Sequence, residues 1–552
     1  MAWGGGNANN IDSWVKRLQE NDASFTSLHI LSFRRITSAE LGRVFEAITH
    51  NSTLKEFYAS GHALDQDAAH KLALALEHNR TLERLNVGHD GLGSDEAVFK
   101  ILAEGLSKSQ APLRLDLENK GLGSHETSVS ALAAALEKNQ ALQELNLARN
   151  KLTDQDIATL CKSLAQNRSV QKLDLCLNSF SEVGTRTVAE LLAGQNDPNT
   201  PGLKEIDLSD NELTEEGGTA IGKALETNQQ LERLRMSSCM DPPLPVEEGD
   251  EDKLQWDHEI HELNVRLTPE QEAEIRSDGD TVLEAIATAL KQNQTLQELW
   301  MDYCNISSIG ATFLASALRH NHGLTTVRMR NNRVGNRGAR SIGAALTPTG
   351  SASLAAGAVG LEEKEEVATG YNTALKNLEL GSNKVGVLGW HGLVGASSLE
   401  SLGLFENGIN VLHEALENHV ISNLSPISSP PLPNPAAPVS ASVPNGSSTA
   451  RHVLENLIHL DVGCNGISRE SFTQLGVCLI KGVIPSLMRL EIAGNGSRAQ
   501  VPPQHPGQGD PEESGPDDDE QNAWETVATR IEEARPGLTV HWKGAGAMQQ
   551  QP

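Results

Sequence analysis

One short phrase recurs along nearly the whole chain: an apolar residue, any residue, a second apolar residue, then a turn. Leu28, Phe57, Leu85, Leu115, Leu145, Leu173, Ile206, Leu234, Leu263, Leu299, Val327, Leu378, Leu402, Leu460 and Leu490 each open it. The fullest copy is Leu142-Gln-Glu-Leu145-Asn-Leu147-Ala-Arg-Asn150-Lys-Leu152, an LxxLxLxxNxL pattern that returns at 170–180, 203–213, 375–385, 399–409 and 457–467. Phe57 to Leu85, Leu145 to Leu173 and Ile206 to Leu234 are each 28 residues apart. A short extended segment that recurs at such a period cannot bury its apolar face alone, so each unit must stack on the next.

Between the phrases lie segments with Leu and Ala at helical spacing, such as Ala131-Leu-Ala-Ala-Ala-Leu136-Glu-Lys-Asn139, which predict one helix per unit behind each strand. Strand and helix at this period predict an α/β fold, a right-handed leucine-rich-repeat solenoid (horseshoe) with a concave parallel sheet and convex helices. The 552 residues then need not divide into several globular domains, because such a core grows along one axis. Aromatic residues make up only 3% of the chain, which suits thin stacked layers. Most helical segments end at an Asn, a residue expected to take the left-handed conformation at a helix C-terminus. Cys239 and Cys304 stand where most phrases have Asn, and are expected to be structural turn residues.

The phrase sets the organisation. Residues 1–27 form an N-terminal cap, with Trp14, Val15 and Leu18 on one helical face. Repeats fill 28–421, with insertions at 240–261 and 347–371, and resume over 452–495. The segment 422–451 is rich in Pro and Ser and reads as a disordered insertion, 496–521 as an acidic, Pro-rich linker, 522–545 as a capping helix and strand, and 546–552 as a disordered tail.

The formal net charge of −28, from 45 Lys+Arg against 73 Asp+Glu, repels phosphate backbones and anionic lipid, so neither nucleic acid nor a membrane is an expected partner. No secretory signal and no run of about 18 apolar residues is present. Six cysteines without a CxxC pair fit reduced thiols, and the expected location is cytoplasmic or nuclear. His258 and His261 lack a third nearby ligand, so no metal is expected, and no pattern calls for a cofactor.

Strand periodicity sends the residues that flank each anchor to the concave face. Its first half reads as acidic, through Asp116, Glu118, Glu144, Asp174, Glu205 and Asp207. Further along come Arg233, Arg235, Arg266, Trp300, Asp302, Arg328 and Arg330, on four consecutive predicted strands about 4.8 Å apart. Trp and Arg dominate binding hot spots, so these seven residues are the candidate partner site; the alternative is that the arginines pair with neighbouring acids. Two identical strings, Pro242-Pro-Leu-Pro245 and Pro430-Pro-Leu-Pro433, resemble ligands of WW or SH3 domains.

At Asn332-Arg-Val-Gly-Asn-Arg-Gly338-Ala-Arg-Ser-Ile342 the wording NxVGxxGAxxI resembles the ribonuclease-inhibitor-like class of leucine-rich repeat, and Asn211 to Leu225 is similar. That class includes ribonuclease inhibitor, the sensor arrays of NOD-like receptors and Ran GTPase-activating protein. Repeats begin within the first 30 residues and no GxxxxGK[ST] occurs, so no built-in ATPase is expected. Ribonuclease inhibitor is much richer in cysteine. The resemblance implies a non-enzymatic scaffold or adaptor that binds a protein partner. Its enzymatic alternative is a GTPase-activating protein, with Arg149 as the nearest match to that family's loop arginine.

Overall fold

In the computed structural model, the structure describes residues 11–111, 113–197, 199–240, 276–348, 371–423, 453–495 and 518–543. Almost all of the four insertions, both Pro-Pro-Leu-Pro strings, His258, His261, Arg266 and the last nine residues lie outside them. The chain divides into two compact units, Met1–Pro243 with Thr281–Cys304, and Leu244–Asp280 with Asn305–Pro552.

In the first unit the described strands are β1 (Ser27–His29), β2 (Glu56–Ser60), β3 (Arg84–Gly88), β4 (Arg114–Asp116), β5 (Glu144–Asn146), β6 (Lys172–Asp174), β7 (Glu205–Asp207), β8 (Arg233–Arg235) and β9 (Glu298–Trp300). The second unit has β10 (Thr326–Arg328), β11 (Asn377–Glu379), β12 (Ser401–Gly403), β13 (His459–Asp461), β14 (Arg489–Glu491) and β15 (Thr539–His541). Within each unit every strand pairs in parallel with the next in sequence, and each anchor faces the next anchor, as Leu145 faces Leu173 and Leu402 faces Leu460. Helices join the strands. The fold is therefore an α/β leucine-rich-repeat array.

One anchor departs from the expected series. β8 pairs directly with β9, Leu234 facing Leu299, so no strand at Leu263 stands between them. Leu263 itself lies outside the described residues.

Each helix buries the stripe facing its strand. Helix Glu126–Lys138 covers Val129, Leu132, Ala133, Ala135 and Leu136, and exposes its charged face. Capping boxes start two helices, Thr37 with Glu40 and Thr153 with Asp156. The NxVGxxGAxxI wording has a steric cause. Gly335 has φ +61°, and a Cβ on Gly338 would lie 2.7 Å from Val334 Cγ1 and 2.8 Å from the Ala311 Cβ of the preceding helix.

Two sets of amides stitch successive repeats. After most strands the chain takes a left-handed residue, and the next side chain turns toward the carbonyls of its neighbours. Asn150 is fully buried; its Nδ2 donates to Leu117 O (2.8 Å) and Leu147 O (3.0 Å), and its Oδ1 accepts from the Lys120 N–H (2.9 Å). Asn178 accepts from the N–H groups of Asn150 and Leu152 in the same way. Cys239 and Cys304 fill this place with buried thiols that donate to Leu208 O (3.2 Å) and Met236 O (3.0 Å).

The second set stands at the helix ends. Asn79 and Asn139 are not left-handed; their φ, ψ are −70°, 140° and −74°, 125°. Their conformation is extended and their side chains do the work: Asn79 Nδ2 donates to Ile48 O and Asn51 O, both at 2.8 Å. The Asn at each helix end is thus selected for its amide, because two carbonyls of the preceding repeat would otherwise be buried without a donor.

Lys120 occupies the turn-ladder place where Asn is usual. It is 2% exposed, and its ammonium reaches Ser60 Oγ (2.8 Å) and Gly88 O (3.0 Å). Burial pulls its pKa below the usual lysine range, against the pull of Asp116, Glu118 and Asp90.

At the N-terminus, helix Ile11–Gln19 buries Ile11 and Leu18, while Trp14 and Val15 are only half-buried. At the other end, helix Asp518–Ala534 reaches back into the acidic run expected to be linker. Trp524 stacks on Phe472 at 4.8 Å, and Arg535 donates to Ile484 O and Pro485 O, both at 2.8 Å.

Candidate functional site

The sheet face opposite the helices presents side chains in rows. The row just before the anchors is a chain of ion pairs within the first unit. Arg84 meets Glu56 at 3.0 Å. Glu144 is shared by Arg114 (3.4 Å) and Lys172 (3.3 Å), and Glu205 by Lys172 (3.5 Å) and Arg233 (3.5 Å). Arg233 also reaches Glu298 at 3.2 Å. The face expected to be acidic over these strands is therefore interleaved with Arg84, Arg114 and Lys172, which the parallel register places beside the acids.

In the row just after the anchors, Asn86 Nδ2 donates to Asp116 Oδ2 at 2.6 Å. Asp116, Asn146, Asp174 and Asp207 each accept the N–H two residues further on, at 2.9 to 3.0 Å. These side chains end their strands by closing a turn on their own backbone. Sequence reasoning had read the acids as surface charge and missed this task, although the Asp-x-x-x-Asn spacing of Asp174 to Asn178 and Asp207 to Asn211 carries it.

Asp174 bears a cost. Burial first, then Asp207, pushes its carboxyl up to about 6, although the Cys176 N–H partly compensates. Beside it the Cys176 thiol, 3.6 Å from Asp210 Oδ2, is pushed up by burial and by Asp207, Asp174 and Asp210, so it stays protonated.

Of the seven candidate residues, four lie in the first unit. Arg235 Nη1 is 2.8 Å from Glu205 and 3.8 Å from Asp207, and its guanidinium lies 4.3 Å from the centroid of the Trp300 ring. Arg233 and Arg235 are thus held by acids of the neighbouring strands, the alternative raised by the sequence. The partners are Glu205, Asp207 and Glu298. Asp302 is buried, and its backbone N–H donates to the Ser237 hydroxyl oxygen at 3.1 Å. In the second unit, Arg330 pairs with Glu379 at 2.7 Å, and Arg328 is half-buried. Arg266 lies outside the described residues, and with β8 paired to β9 it has no strand between Arg235 and Trp300. Arg149, the candidate activating arginine, has φ +58° and its Nε is 3.3 Å from Glu118. No helix among the described residues is long and apolar enough to cross a membrane.

Comparison with known proteins finds a family profile described as leucine-rich repeat at residues 138–161, 203–222, 292–315 and 320–343. The chain is 30% identical over 284 residues to ribonuclease inhibitor from Sus scrofa, covering 51% of this chain and 59% of that protein. It is 27% identical over 279 residues to NACHT, LRR and PYD domains-containing protein 12 from Homo sapiens, covering 50% of this chain and 25% of that one. The chain thus spans less than two thirds of the length of these relatives. Among solved structures, an internalin from Listeria monocytogenes matches with a TM-score of 0.35 at 13% identity, over 89% of each chain.

Proposed function

We infer, for a leucine-rich-repeat protein of the ribonuclease-inhibitor-like class, a non-enzymatic scaffold that binds a protein partner on the open, concave face of its strands. The observation that carries this reading is the face itself. Its residues vary from repeat to repeat while the anchors behind them stay constant, and Trp300 sits in it as a half-buried ring beneath Arg235. A large aromatic held in a fixed orientation costs little further entropy when a partner covers it. The name of the relative in Sus scrofa supports the same class of act, inhibition through binding.

A second reading, GTPase activation through Arg149, has weaker support. Arg149 stands at the left-handed turn position that Leu177, Asp210, Ser238 and Tyr303 also occupy, and it leans on Glu118. Comparing GTP hydrolysis by Ran-like GTPases with wild type and Arg149→Ala decides between the two. Acceleration that the variant loses overturns the scaffold reading. For the face, Trp300→Ala is expected to weaken capture of a bound protein, and unchanged capture removes Trp300 from the site. Recruitment of WW or SH3 domains by the two Pro-Pro-Leu-Pro strings rests on sequence alone; deleting both should abolish it.

A further inference from the structure

The left-handed turn position strongly limits side chains. A bulky residue there costs backbone energy that Asn, Asp or Gly largely avoids. In the first unit the position holds Asn119, Arg149, Asp210 and Ser238, and also Leu177 and Tyr303, both at φ +54°. Leu177 is 40% exposed and Tyr303 58% exposed, so the core gains little from either. They follow β6 and β9, with Asp210 and Ser238 of β7 and β8 between them. Backbone bonds place these turns side by side: Leu177 N–H donates to Ser209 O, Asp210 N–H to Ser237 O and Ser238 N–H to Asp302 O.

Charge on this rim follows from the pairing already described. The row before the anchors is neutralised by its own cross-strand ion pairs, whereas Asp174 and Asp210 have no lysine or arginine within ion-pair distance among the described residues. Asp174 is also kept in place at a cost to folding, which is the pattern expected where a residue serves binding. Two exposed apolar side chains thus bracket an acidic step, Asp210 with Asp174, that forms no ion pair among the described residues, Arg235 acting on the Asp174 carboxyl only from further off.

The spacing defines what fits. Three strand separations put Leu177 and Tyr303 about 14 Å apart. In an extended peptide, residues i, i+2 and i+4 share one face and span about 13 Å. We propose, resting on the concave-face reading above, that the Leu177–Tyr303 rim docks an extended segment of a partner protein with the pattern apolar-x-Lys/Arg-x-apolar. The two apolar side chains cover Leu177 and Tyr303, and the cation meets Asp210 with Asp174 behind it.

The test uses the full chain and two fluorescein-labelled peptides, leucine-serine-lysine-serine-leucine and its counterpart with a central glutamate, followed by fluorescence anisotropy. The lysine peptide is expected to bind, to weaken as salt rises, and to lose affinity about tenfold in Leu177→Asn/Tyr303→Asn and at least about threefold in Asp210→Asn. The glutamate peptide is expected not to bind. Asn suits the left-handed position, so the double variant should unfold at the same or higher denaturant concentration, which separates lost binding from lost folding. No binding of the lysine peptide, equal binding of both peptides, or unchanged binding by the variants overturns the proposal. A captured partner lost in Trp300→Ala but retained by the double variant leaves the concave-face reading intact and removes only this rim. A partner retained by both variants removes the face as well.

Discussion

The turn ladder and the strand rows lie within a few residues of each other in every repeat, yet they obey different rules. In the ladder, Asn150, Asn178 and Asn211 answer to backbone carbonyls whose positions never change from repeat to repeat. Almost any other side chain leaves buried groups unpaired. In the rows, Glu144, Lys172, Glu205 and Arg233 answer only to each other, and their charges alternate because the neighbours do. The backbone therefore fixes one region, while the other remains free to carry recognition.

The comparison breaks most sharply at the ladder. Asn150→Ala should cost about 3 kcal/mol in denaturant-induced unfolding, since it strands several buried backbone groups at once. Cys239→Ala, which removes only weak thiol bonds, should cost clearly less; equal losses would mean that the amide is not what the turn requires. Next comes Lys120, a buried charge in the ladder. Lys120→Ala should cost about 2 to 3 kcal/mol, because it empties the channel filled by the lysine stem and leaves Ser60 Oγ without its donor.

Asp174 sharpens the contrast in the opposite direction. Its carboxyl is raised to about 6 in the fold from 3.8, so the stability tied to its protonated form is full below about pH 4 and is lost as pH rises through about 6. Asp174→Asn keeps an acceptor for the Cys176 N–H and should stabilise the protein by about 2 kcal/mol at pH 8, with no gain at pH 4. Denaturation midpoints at the two pH values check this, and a pH-independent gain would point to a cause other than ionisation. The smallest effect belongs to the paired row. Glu205→Gln, which loosens Lys172, Arg233 and Arg235 together, should cost about 1 kcal/mol or less and cost still less in high salt.

Much of the fold was legible because an anchor such as Leu145 must face inward whatever its neighbours are. The pairing of Leu234 with Leu299 shows the limit, since local pattern cannot say which segment lies beside β8. The helix-end asparagines were found for the wrong reason; their backbone is extended and only the placement of Ile48 O and Asn51 O reveals the use of the amide. The candidate arginines were located by phase, but their pairing depends on which acids the register sets beside them.

The sequence by itself determined the period, the buried face and the turn, because these depend on residues within one repeat of about 28 positions. Tertiary structure decided which charges cancel, where a lysine could be buried and which turn positions present an exposed Leu177 and Tyr303. Those outcomes depend on cross-strand distances of a few ångströms between residues roughly 30 or more positions apart, and an interaction that short-ranged is invisible until the stacking is known.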